Sequence, residues 1–117
     1  MSKFTIYHNP RCSKSRETLA LLEKEQLKIR VIKYLETPPD SATLQQIIDL
    51  LGFDSARQLM RTKEKIYKEL ALQDEKDEAT LLRAMVENPK LIERPIVVKG
   101  DRAVLGRPPE NVLALLD

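Results

Sequence analysis

The spacing of apolar residues changes several times along this chain, and each change marks an element. Phe4, Ile6 and Tyr7 form a short apolar run that predicts a strand, and Arg16 through Glu25 follows with helical spacing. Gln26 and Leu27 mark a loop, and Arg30 to Leu35, carrying Val31, Ile32, Tyr34 and Leu35, predicts a second strand. A strand, a crossover helix and a second strand make a unit whose strands run parallel with a right-handed crossover. Glu36-Thr37-Pro38-Pro39 ends it, because neither proline can donate a ladder hydrogen bond.

From Asp40 to about Asn88 the pattern is helical. Asp40 or Ser41 caps a helix whose Leu44, Ile47, Ile48 and Leu51 follow i, i+3, i+4, i+7 spacing, and Gly52 closes it. Ser55 starts a short helix carrying Ala56, Leu59 and Met60. Thr62–Leu72 is charged and weakly patterned. Asp77 precedes a helix through Leu81, Leu82, Met85 and Val86 that stops at Asn88-Pro89. Strand character returns at Ile96-Val97-Val98-Lys99, turns at Gly100-Asp101 and continues through Ala103-Val104-Leu105. Pro108-Pro109-Glu110 opens a last helix with Val112, Leu113, Leu115 and Leu116.

The order is βαβ, a helical insertion, then ββα. It predicts an α/β fold: a four-stranded mixed sheet flanked by helices, thioredoxin-like, with an inserted helical lobe. The 117 residues form one domain, with thioredoxin-like halves at about 1–36 and 94–117 and the insertion at about 40–90.

Composition narrows the classes of function. Twenty basic against eighteen acidic residues give a net charge of +2, too balanced for nucleic-acid binding, and a 4% aromatic content leaves little for base stacking. No apolar run approaches the roughly 20 residues that span a membrane, and Ser2-Lys3 leads straight into the first strand without a secretory leader. One cysteine excludes an internal disulfide. A cytoplasmic monomer in a reducing compartment is expected.

The candidate chemistry lies in His8-Asn9-Pro10-Arg11-Cys12-Ser13-Lys14-Ser15-Arg16, which holds the only cysteine and the only histidine. Pro10 makes the approach extended, so Cys12 falls at or just before the first helical turn. Unpaired N–H groups and the positive end of the helix dipole favour negative charge there. Arg11, Lys14 and Arg16 add positive charge nearby. A thiol in such surroundings has a lowered pKa, and a drop of two units is roughly 2.7 kcal/mol in favour of the thiolate. A lone cysteine is most often an inert buried hydrophobe; the strand–Cys–helix junction is what makes Cys12 a candidate nucleophile. One histidine with one cysteine makes no metal site.

Three arginines stand where the helical segment meets the sheet elements: Arg61 after the short helix, Arg94 before Pro95, and Arg107 before Pro108. The last two occupy X-Pro corners with restricted backbones. If they converge on Cys12, their forked donors cradle a tetrahedral oxyanion while the thiolate attacks its centre.

The chain resembles the glutaredoxin-linked arsenate reductases of the ArsC family nearly end to end. The resemblance is carried by Ile6 through Arg16, by Tyr34-Leu35-Glu36-Thr37-Pro38-Pro39, by the Arg61 segment, by Arg94-Pro95-Ile96-Val97-Val98 and by Gly106-Arg107-Pro108. It implies that Cys12 is the nucleophile with His8 as its neighbour, that Arg61, Arg94 and Arg107 bind the oxyanion, and that the Arg94–Pro95 bond is cis. Ser13-Lys14 departs from the Gly-Thr that follows the cysteine in the best-known reductases of the family, and the added Cβ restricts the anion loop.

The resemblance implies that Cys12 thiolate attacks arsenate held by the Ser13–Ser15 amides and the arginines. His8 tunes the thiolate. Ser15 either donates to the thiolate or oxyanion, or caps the helix. Reduction takes two electrons, and a single cysteine requires a second thiol from outside. By resemblance this is glutathione as co-substrate, with glutaredoxin clearing the mixed disulfide and no bound cofactor. Two rivals share the pattern: an Spx-type transcription regulator that binds RNA polymerase, whose usual C-x-x-C switch is broken here by Ser15, and a glutaredoxin-like thiol transferase with another substrate.

Overall fold

In the computed structural model, which describes residues 4–116, the chain divides into two compact units, one of residues 4–37 and 94–116 and one of residues 38–93. In the first unit the opening apolar run is strand β1 (Phe4–Tyr7), followed by helix α1 (Ser13–Lys24) and strand β2 (Ile29–Ile32). Strands β3 (Ile96–Lys99) and β4 (Arg102–Leu105) form the later hairpin, with Gly100 at φ 58° in its turn. The sheet order is β2-β1-β3-β4. β1 pairs parallel to β2 with Ile6 opposite Val31, and antiparallel to β3 with Ile6 opposite Val97; β3 and β4 are antiparallel. This is the mixed four-stranded α/β sheet that the element order predicts.

One core serves this unit. Phe4, Ile6, Leu22, Val97, Val112 and Leu115 cluster in it, and Leu19, Ile29 and Val104 pack against them. Each such side chain taken fully from water contributes about 2 kcal/mol. Burial of Ile6 and Val97 fixes the register, since a one-residue slip would turn both faces over.

Three boundaries differ from the sequence reading. Helix α1 starts at Ser13 rather than Arg16, because Cys12 takes the N-cap position in an extended conformation. β2 ends at Ile32 rather than Leu35: the amides of Glu36 and Thr37 both donate to the Lys33 carbonyl at 2.9 Å, which turns the chain. The last element, Pro109–Leu115, is a 3₁₀ helix whose buried residues are Pro109, Val112 and Leu115. A buried residue at every third position suits three residues per turn.

The second unit carries α2 (Ser41–Leu51), α3 (Lys65–Glu69) and α4 (Glu78–Glu87), with short 3₁₀ turns at Ala56–Leu59, Leu72–Asp74 and Pro89–Leu91. Asp40 caps α2 by accepting from the Thr43 amide at 2.8 Å, and Gly52 ends it in the left-handed conformation. Ser55 and Gln58 form a capping box. Asp77 holds the N-cap position of α4, but its carboxylate accepts from the Thr80 hydroxyl at 2.8 Å rather than from a helix amide. Helix α2 packs on α4. The Arg57 guanidinium organises the weakly patterned stretch, donating to the Tyr67 hydroxyl, the Leu72 carbonyl and the Glu75 carbonyl. Among the described residues no helix is long and apolar enough to cross a membrane.

Candidate active site

Cys12 sits where β1 hands over to α1. Beyond Tyr7, the His8 amide still donates to Ile32 at 2.8 Å, which holds the start of the connecting loop against the end of β2. Asn9 then shapes the turn: its side-chain oxygen accepts from the Arg11 amide and its carbonyl from the Cys12 amide, both at 3.0 Å. The Arg16 amide donates to the Cys12 carbonyl, and the Arg16 guanidinium reaches the Pro10 carbonyl, each at 3.0 Å. The loop is therefore tied at both ends, with the sulfur left at the helix N-terminus.

Burial alone would push the Cys12 thiol up. Donation from the Ser15 and Lys14 amides, together with the charge and side-chain hydrogen bond of Arg94, outweighs it, and the thiol lies below its ordinary pKa. These are the donors that a helix leaves unpaired in its first turn.

Ser15 is fully buried. Its hydroxyl lies 2.6 Å from His8 Nδ1 and accepts from the Asn9 amide at 3.0 Å, while its backbone N–H reaches the sulfur. Burial lowers the His8 pKa, Lys33 and Arg16 lower it further, and Glu23 opposes them. The surroundings therefore favour the neutral imidazole, and in its Nε2–H tautomer Nδ1 accepts from the Ser15 hydroxyl. His8 thus braces the loop through Ser15.

The two X-Pro corners meet beside this helix. Arg94–Pro95 and Arg107–Pro108 are both cis. The Gly106 amide donates to the Pro95 carbonyl at 2.9 Å, and Arg107 Nη1 donates to the Arg94 carbonyl at 3.2 Å, so the two arginine-bearing turns are bonded to each other. Thr18, fully buried on α1, donates from Oγ1 to the Lys14 carbonyl at 2.8 Å, with the Gly106 carbonyl at 3.3 Å. A Cβ on Gly106 would lie 2.5 Å from Thr18 Oγ1 and 2.8 Å from Pro95 Cγ. Only glycine permits that approach.

The structure thus brings Cys12, His8, Ser15, Arg94, Pro95 and Arg107 into one neighbourhood. Arg61 belongs to the second unit, where its amide donates to the Leu91 carbonyl at 2.7 Å and its guanidinium pairs with Glu64 at 2.9 Å. Thr18 is a contributor that motif reading does not single out, and Gly106, read there only as part of the Gly106-Arg107-Pro108 motif, gains a packing role. The signals for them are a polar residue within the α1 sequence and a lone glycine directly before an Arg-Pro corner.

A pH dependence follows from the two depressed groups. For Cys12, the stabilisation of the thiolate is present above the ordinary thiol pKa and is lost as pH falls through the lowered folded value. For His8, the fold favours neutral imidazole, so its contribution is present above 6.5 and is lost as pH falls below that value. The rate of Cys12 alkylation by iodoacetamide against pH has its midpoint below that of a free thiol. An unshifted midpoint contradicts the assignment.

Comparison with known proteins adds four findings. The model of the ArsC family matches residues 7–115. An uncharacterized protein of Escherichia coli (strain K12), YfgD, is 58% identical over 112 residues, covering 95% of this chain and 94% of that one. The arsenate reductase of Neisseria meningitidis serogroup A is 50% identical over 117 residues, covering 99% and 100%. Among solved structures, the arsenate reductase from Vibrio cholerae superposes with a TM-score of 0.93 at 54% identity, covering 97% of each chain.

Proposed function

The chain belongs to the ArsC family, and from that membership and the surroundings of Cys12 we propose that it reduces arsenate to arsenite, with Cys12 as the nucleophile. The observation that carries the reading is the depressed thiol at the start of α1, with Arg94 donating to its sulfur and Arg107 bonded to the Arg94 carbonyl. The same first-turn amides and guanidinium groups that favour a thiolate also favour a tetrahedral oxyanion beside it. Arsenate reductases among the relatives support that choice of oxyanion.

In this reading the Cys12 thiolate attacks arsenic, and an arsenate oxygen leaves as water after protonation. The product is a sulfur–arsenic(V) bond. Glutathione supplies the second thiol. Its thiolate attacks the Cys12 sulfur, the bonding pair passes to arsenic, and arsenite departs. The two electrons come from two thiols, which end as one Cys12–glutathione disulfide. Glutaredoxin then attacks the glutathione sulfur and returns Cys12 as thiolate. Glutathione and glutaredoxin place the cycle in a reducing compartment, and the cytoplasm is the expected location. Arg61 joins the oxyanion set by its match to the family motif.

Arg94→Ala tests the oxyanion role. Loss of one charge-assisted contact to the reacting group, together with a less acidic thiol, lowers kcat/KM for arsenate about 100-fold. Raising the pH recovers part of that loss, because it restores thiolate but not the missing donor. Unchanged kcat/KM excludes Arg94 from the site. Intact-protein mass spectrometry during turnover shows one glutathione adduct, on Cys12; turnover without the adduct contradicts the proposed reductant.

A further inference from the structure

A cleft of about 250 Å³ opens beside the Cys12 loop, with His8, Pro10 and Arg11 on one wall and Lys33, Leu35 and Glu36 on the other. It lies beyond the carboxyl ends of the parallel strands β1 and β2, where loops from neighbouring strands diverge and α/β sheets commonly take ligands. Both walls are held in place. The His8 amide bonds the Ile32 carbonyl, and the Lys33 carbonyl accepts from two amides of the following turn. Its volume lies below the roughly 300 Å³ at which ligand pockets begin, so a small molecule held here stays partly in solvent.

The charges along the cleft are two cations and one anion. Arg11 and Lys33 make no ion pair among the described residues, and neither does Glu36. Lys33 lines the cleft with His8, and its charge lowers the His8 pKa. Neither Arg11 nor Lys33 is among the groups that lower the Cys12 thiol. Two cations and a carboxylate are thus available to something other than the nucleophile. A larger cleft, about 410 Å³, lies in the second unit; Glu64, Glu69 and Glu87 line it together with Lys65 and Lys90, and no nucleophile does.

We infer that the cleft between His8–Arg11 and Lys33–Glu36 is the subsite for the peptide thiol that reacts at Cys12. Glutathione is the complement of the charges: two carboxylates for Arg11 and Lys33, and one ammonium for Glu36. Its thiol is carried by the middle residue of a molecule spanning on the order of 10 Å, and Arg11 directly precedes Cys12 in the chain, with Cα atoms about 3.8 Å apart. Cys12 does not itself line the cleft, so the thiol of a glutathione held here has to reach past Arg11 to the Cys12 sulfur. The inference rests on the reading of Cys12 as a glutathione-linked nucleophile, but it does not require arsenate.

The test therefore leaves arsenate out. Reduced full-length protein is mixed with glutathione disulfide or with bis(2-hydroxyethyl) disulfide, which is uncharged, and the Cys12 adduct is followed by intact mass. In each case Cys12 thiolate attacks one sulfur, a mixed disulfide forms and one thiolate leaves. The expected result is a preference for glutathione disulfide that falls with added salt. The double substitution Arg11→Gln/Lys33→Gln slows the glutathione reaction about tenfold and the neutral one by less than about twofold, and Glu36→Gln slows the glutathione reaction about threefold. Equal losses with both disulfides overturn the subsite, because the charges would then act on Cys12 itself. No loss overturns it too. Arsenate turnover without charge-dependent glutathione preference leaves the reductase reading standing and removes the subsite. The preference without arsenate turnover supports the subsite and removes the reductase reading.

Discussion

Cys12→Ser abolishes arsenate-dependent turnover while leaving the fold intact or slightly more stable. No other thiol in the chain can substitute, and a serine hydroxyl in the same place remains protonated near neutral pH, so turnover falls by at least roughly 10³-fold. The folded state does not need the sulfur. Cys12 occupies the N-cap of α1, where the Ser15 and Lys14 amides reach its sulfur, and a serine oxygen in the same place accepts from those amides as one of the residues that cap best. Activity and stability therefore move in opposite directions. A matched loss of melting temperature and activity would mean that Cys12 is structural.

The second large effect falls where no reacting group stands. Gly106→Ala places a methyl 2.5 Å from Thr18 Oγ1, 2.9 Å from Thr18 Cγ2 and 2.8 Å from Pro95 Cγ. Both neighbours are fixed, Thr18 by full burial on α1 and Pro95 by its place at the head of β3. Overpacking of this kind costs about 1–3 kcal/mol and lowers Tm by roughly 4–12 °C in a chain of this size. The contact also joins the Cys12 helix to the Arg94–Pro95 corner, so separating them moves the Arg94 donor from the sulfur. Alkylation of Cys12 in the alanine variant shifts to higher pH as its Tm falls. Adding Thr18→Ala removes two of the three close contacts and restores part of the loss, a coupling of about 1 kcal/mol. A melting temperature unchanged by Gly106→Ala contradicts this packing.

Both predictions rest on features that the sequence exposes to different degrees. The βαβ and ββα halves were legible because Phe4, Ile6, Ile96 and Val97 pair apolar runs with strand-length spacing, and because Asn88-Pro89 stops a helix firmly. Cys12 and the Arg-Pro corners were legible as residue types whose local backbone is restricted. The end of β2 was not, since Tyr34 and Leu35 look like strand residues and only the turn at Lys33 separates them from it. The pitch of the last helix was obscured by Leu113 and Leu116, which mimic an α-helical face, while Leu113 is exposed and the three-residue repeat of Pro109, Val112 and Leu115 carries the burial.

Side-chain partnerships across sequence distance were the least legible. Ser15 looks like an ordinary first-turn serine until β1 and α1 are packed and its hydroxyl meets His8. Thr18 and Gly106 are 88 positions apart, and neither shows its partner by spacing. Lys33 reads as the middle of a strand from its neighbours, whereas the turn it initiates makes it a wall of the cleft beside His8. Such contacts depend on the closed sheet, which periodicity predicts only as a topology.

The central claim is that the acidic thiol at the head of α1 reduces an oxyanion, and NADPH consumption in the presence of glutathione, glutathione reductase and glutaredoxin tests it most directly. The account predicts consumption that requires both this protein and arsenate and saturates with arsenate concentration. Rapid low-pH alkylation of Cys12 with no arsenate-dependent consumption above the rate without protein would contradict it. The nucleophile would then serve a disulfide substrate instead.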